Sequence, residues 1–154
     1  MSYDPRVLQS NLNIKRFHWE KMRAAGAAKL VKVADPGQLK LLVSGYVGFW
    51  QSLAGKTPAE MRRILGLRDQ DLVTGAIIYR LHQVPDLNDF EVRGYSTLPD
   101  GLPLHAGHRH DGGGYPAGEG VLQYKLLNPV PASVVCHLAP GQPLTLKLFQ
   151  TGKA

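Results

Sequence analysis

Residues 56 to 83 read KTPAEMRRILGLRDQDLVTGAIIYRLHQ, and the fold of the chain turns on how this stretch is read. Thr57-Pro58-Ala59-Glu60 is a helix start. The threonine side chain can cap, the proline suits the first helical position, and Glu60 can reach back to the cap as in a capping box. The short helix this predicts, AEMRRIL, ends at Gly66, a residue free to take the positive φ of a sharp turn. Beyond it Leu72, Val73, Ala76, Ile77 and Leu81 recur at helical spacing, which predicts a second helix from about Asp69 to His82.

Working outward, Asp4-Pro5 opens an earlier helix that ends near Gly26, with Leu8, Leu12, Trp19 and Met22 on one face and Lys15, Arg16, Lys21 and Arg23 on the other. Asp35-Pro36 opens another, through Leu39, Leu42, Val43, Tyr46, Val47, Phe49 and Trp50 to Gly55. This most apolar segment is the expected core helix. After Pro85 the pattern changes: Pro and Gly punctuate FEVRGYSTL, VLQYKLLN, SVVCHLA and LTLKLFQ, whose alternation predicts half-buried antiparallel strands. Pro129, Pro131, Pro140 and Pro143 are expected to keep them short. The expected fold class is therefore α+β, in one compact domain. A basic helical region (residues 1 to 85) carries a β-rich region (residues 86 to 154) of short, wing-like antiparallel strands.

Leu65-Gly66-Leu67 and Tyr79-Arg80-Leu81, following Thr57-Pro58-Ala59-Glu60, resemble the helix-turn-helix of winged-helix transcription regulators, and the resemblance covers about residues 36 to 97. It implies that Arg68, Gln70, Asp71 and Thr74 lie where recognition-helix side chains meet base edges or phosphates. Arg62 and Arg63 would approach the phosphate backbone. The departures are Arg62 where many such units keep a small residue, an inter-helix turn about two residues longer than usual, and Gly75 within the recognition helix, where glycine costs roughly 1 kcal/mol.

Charge points to the same class of partner. The net +6 is confined to one side of the chain: residues 1 to 85 carry 13 Lys and Arg against 6 Asp and Glu, or +7, and residues 86 to 154 carry 5 against 6, or −1. Such asymmetry suggests an anionic partner, nucleic acid first. Double-stranded DNA binding, sequence-specific or general, is the leading expectation, with transcriptional regulation and a homodimer as candidate roles and no cofactor required.

The stretch HAGHRHDGGGYPAGEG, residues 105 to 120, supports a different chemistry. His108 and His110 would share a face of a strand and could chelate a divalent metal with Asp111 or His105, leaving Glu119 as base. That makes a small metal-dependent hydrolase or nuclease of toxin-like type the alternative. His110-Asp111-Gly112 with Gly114-Tyr115-Pro116 is similar to a segment of HD-GYP phosphodiesterases, but the upstream His-Asp pair of that family is not found. The bland reading is a hairpin tip in which Arg109, beside two titratable histidines, touches phosphates. A third class is a non-enzymatic protein-partner or assembly factor.

The remaining features set bounds. Cys136 is a single cysteine, which excludes an internal disulfide, and its apolar run ASVVCHLA favours a core residue over a nucleophile. His137 in the same run is expected in the core, and His18 and His82 on helix surfaces or caps. No apolar run approaches the roughly 20 residues of a membrane span, and the first residues lack a signal-peptide pattern, so the expected location is cytoplasmic.

Overall fold

The computed structural model describes residues 5–37, 40–92 and 122–152. Among these, three helices and five strands follow one another as α1 (Pro5–Ala25), β1 (Leu30–Ala34), β2 (Leu42–Phe49), α2 (Pro58–Ile64), β3 (Ala76–Leu81), β4 (Phe90–Val92), β5 (Tyr124–Leu138) and α3 (Leu146–Thr151). β2, β1, β3 and β5 are neighbours in that order, and a further pairing of β2 with β5 closes them into an antiparallel barrel, with β4 added beside β5. Closure removes the exposed edges that an open sheet of this size would present.

The winged helix-turn-helix expected from residues 36 to 97 is therefore overturned, and with it the helical N-terminal half and the wing-like strands. Residues before Pro85 supply three of the four barrel strands. The expected core helix over residues 36 to 54 is β2 followed by a 3-10 turn at Trp50–Ser52, and the expected recognition helix is a series of turns leading into β3.

Both errors have one physical cause. β3 is buried on both faces: Ile77, Tyr79 and Leu81 point into one core, Ala76 and Ile78 into another. A strand covered on both sides shows no polar alternation, so its apolar run mimics a buried helix. In β2 the register shifts between Val43 and Gly45, and Gly45 takes φ +79°. Val43 and Val47 share the face toward the barrel core while Tyr46, between them, is buried outside that core, so the buried residues of β2 stand at three- and four-residue spacing as on a helix.

Local signals that do not depend on pairing are realised. α1 begins at Pro5 and ends beside Gly26, and α2 carries the full capping box of Thr57 and Glu60. Gly66 follows α2 at φ +70°. The prolines of β5 do not interrupt it, because Leu127, Asn128 and Pro129 sit exposed in a register shift against β2 and the Pro131 carbonyl accepts from the His82 N–H. LTLKLFQ is not a strand: the Thr145 hydroxyl caps α3 by accepting from the Leu148 N–H, which buries Leu148 and Phe149 and exposes Leu146.

The first core fills the barrel with residues from every strand and takes Met22 and Trp19 from α1. The second lies outside β1, β3 and β5, under α2, the Trp50 turn and α3. The two helical ends of the chain thus clamp one barrel from different sides. α3 is held by a stack in which the Trp50 and Phe149 rings lie 4.6 Å apart and the Arg80 guanidinium sits 4.5 Å from the Phe149 centroid, donating to the Phe149 carbonyl at 2.6 Å.

Candidate nucleic-acid interface

α1 owes its placement to groups on its inner side. Met22 is fully buried, and the Trp19 indole N–H donates to the Pro85 carbonyl at 3.1 Å. Lys15, expected on the outer face, is instead buried, 3.9 Å from Glu91 and over the Phe90 ring. Burial lowers its pKa, and Glu91 and Asp89 oppose that shift. His18 Nδ1 lies 2.9 Å from the Tyr124 hydroxyl. Burial raises the Tyr124 pKa and lowers that of His18, with Lys21 adding to the latter. The phenol keeps its proton, and the imidazole tautomer decides which of the two groups donates.

Around that inner side runs a band of cations: Arg16 and Arg23 on one flank of α1, Lys21 on the other, and Lys29 and Lys32 in the segment that follows. Apart from the buried Lys15, residues 6 to 34 hold six Lys and Arg against one acid, Glu20, so the band's field is positive along its length. Three of its cations rest over aromatic rings that belong to the packed structure. Arg23 lies 4.6 Å from the Trp19 centroid, Lys21 is 5.6 Å from Phe49 and Lys29 is 6.0 Å from Trp50. A ring face holds such a charge by its quadrupole without neutralising it, which fixes its position at about 0.5–1 kcal/mol for an exposed site. Lys29, Ala25, Phe49, Trp50 and Gln51 also line a cleft of about 200 Å³.

Beyond the band, toward the other end of β1, lie two adjoining clefts. A narrow cleft beside Phe49, Ser52 and Gln123 shares Lys32, Val33 and Leu67 with a larger one of about 430 Å³, whose lining adds Lys40, Arg68 and Tyr79. Gln123 is buried and donates to the Leu65 carbonyl at 3.2 Å, closing the narrow end. In the larger cleft the acids have local tasks. Asp35 accepts from the Leu72 N–H at 2.6 Å, and Asp71 accepts from the Arg68 N–H at 2.9 Å and pairs with its guanidinium at 3.4 Å.

The residues assigned to a recognition helix do not form one. Arg62 Nη1 donates to the carbonyls of Asp69 and Asp71 at 3.2 and 3.3 Å, so it ties the following turn to α2. Arg68 is held by Asp71, and Arg63 is exposed on α2. Gln70 and Thr74 are exposed in the turns, while Gly75 begins the approach to β3 at φ +126°. His82 lies in the bend after β3, its Nε2 hydrogen-bonded to Ser133 across to β5, and His137, expected in the core, is exposed. Cys136 is buried, and burial raises its pKa as a core thiol requires.

His105, His108, Arg109, His110, Asp111 and Glu119 lie outside the described residues. Among the described residues no group of three or more His, Cys, Asp or Glu could hold a metal ion, and no helix is long and apolar enough to cross a membrane. Lys21, Arg23 and Lys29 are not among the site residues expected from the sequence. The signal available for the lysines was the charge asymmetry, which gives their number and not their neighbours. Comparison with protein families, curated proteins and solved structures finds no match to the chain.

Proposed function

We propose that the protein binds nucleic acid through its phosphate backbone, along the cation band of α1 and the segment that follows it, without reading base sequence. One observation carries this reading: Lys21, Arg23 and Lys29 are set over rings of the packed structure. Several fixed cations spaced along one segment match a regularly spaced polyanion better than they match a single small anion. The recognition helix expected over residues 69 to 82 is turn and strand, which favours general over sequence-specific binding.

A fluorescence-anisotropy titration with a labelled oligonucleotide tests it. If Arg16, Lys21, Arg23 and Lys29 each neutralise a phosphate, raising salt from about 50 to about 200 mM should weaken binding to a single strand roughly 50-fold. No binding at the lower salt, to strand or duplex, would refute the reading.

A further inference from the structure

We infer that the cleft of about 430 Å³ between the end of β1 and the turn at residues 68 to 72 takes one unpaired nucleotide, so that the protein prefers single-stranded nucleic acid to duplex. This rests on the nucleic-acid reading above and names the form of the polymer.

The cleft offers the two kinds of surface an unpaired nucleotide requires. Lys32 and Lys40 bring positive charge suited to a phosphate, with Arg68 beside them paired to Asp71, and Val33, Pro36, Leu67 and Leu72 form apolar wall suited to a base. Its volume falls in the range of about 300–1,000 Å³ typical of pockets for small organic ligands. Tyr79 shows why depth matters. Its ring is in the barrel core and only 1% of the residue is exposed, yet its hydroxyl reaches this end of the barrel, where the Lys40 N–H donates to it at 3.3 Å. A duplex presents phosphates on a convex surface and keeps its bases stacked inside, so its bases have no route to such a floor. An unpaired base can leave the strand and enter.

The wall is held ready at a local cost. Leu72 adopts φ +59°, a left-handed conformation that a leucine rarely takes, and the Asp35 carboxylate fixes it there through the Leu72 N–H. The neighbouring Arg68 is fixed by Asp71 from its own backbone N–H outward. Continuity with the cation band comes through Lys32, shared with the narrow cleft, whose lining also includes Phe49 beneath Lys21. A strand following the band is thereby led to the cleft.

The test compares a labelled oligothymidylate with a duplex of equal length at the same salt, using the full chain and the variants Lys40→Ala and Tyr79→Phe. The expected result is a preference of about tenfold or more for the single strand. Both variants should lower strand affinity several-fold and leave duplex affinity within about twofold, because a duplex touches only the band. Equal affinity for strand and duplex, or an equal loss on both, overturns the inference while the phosphate-binding reading stands. Loss of all binding in the unaltered protein overturns that reading first and this one with it. Circular dichroism of Tyr79→Phe guards against a folding defect, and Lys40→Ala, at an exposed position, gives the same test without touching the core.

Discussion

Arg62 and Arg68 lie in a segment that turns its cations inward, whereas Lys21, Arg23 and Lys29 lie in one that holds them outward. The first pair is surrounded by oxygen: the carbonyls of Asp69 and Asp71 receive Arg62, and the Asp71 carboxylate receives Arg68. The second set is surrounded by carbon, resting on Trp19, Phe49 and Trp50. An oxygen acceptor consumes a cation's hydrogen-bonding capacity and shapes the chain around it, while a ring supports the charge and leaves it available. The destination of a basic residue is therefore set by what its neighbours are made of, and only the ringed set suits an external anion.

The sharpest way to break the account of the inward segment is Gly75→Ala. In a recognition helix that change would stabilise the protein by roughly 1 kcal/mol. Here an added Cβ would lie 2.3 Å from the Leu138 carbonyl oxygen at φ +126°, so the expected result is a loss of about 4 kcal/mol or failure to fold. Denaturant unfolding gives the answer, and a stabilised variant would contradict the turn-into-strand path. Next in size, Arg62→Ala should lose about 0.5–1.5 kcal/mol as the carbonyls of Asp69 and Asp71 lose their donor, with nucleic-acid affinity changed less than twofold.

Lys21→Ala and Lys29→Ala should show the reverse pattern. Each is expected to change stability by no more than about 1 kcal/mol and to make the salt dependence of strand binding shallower by about 0.7. The smallest effect concerns α1 and pH. His18 has a folded pKa below its unfolded value of about 6.5, so the unfolded chain binds the extra proton first. Stability is present above about pH 6.5, falls as pH drops toward the folded pKa, and levels off below it. Thermal melts of the protein and of His18→Gln across pH 8 to pH 5 should show a weaker decline in the variant; parallel curves would remove His18 from the account.

What was legible in the sequence was local. Pro5, Gly26, Thr57, Glu60 and Gly66 mark helix ends through backbone rules that need no distant partner, and Cys136 was readable as core from its own run. What was illegible depended on pairing between remote segments. Arg80 lies opposite Ser133 and Val47 opposite Tyr124, and it is this pairing that closes the barrel and buries both faces of β3. LTLKLFQ misled for the opposite reason, since the Thr145 cap was present but the alternating leucines outweighed it. The site was legible as a basic segment, through Arg16, Lys21 and Arg23, but not as a place: Lys21 meets Phe49 and Lys29 meets Trp50 only after the barrel closes.

The most direct measurement is the salt dependence of binding of one labelled single strand to the protein, to Lys21→Ala/Lys29→Ala and to Arg62→Ala/Arg68→Ala. The expected result is a slope of log affinity against log salt shallower by about 1.4 for the lysine pair, which removes two phosphate contacts, and a smaller change for the arginine pair. Unchanged slope in the lysine pair, or a larger change in the arginine pair, would contradict the claim that the ringed cations form the interface.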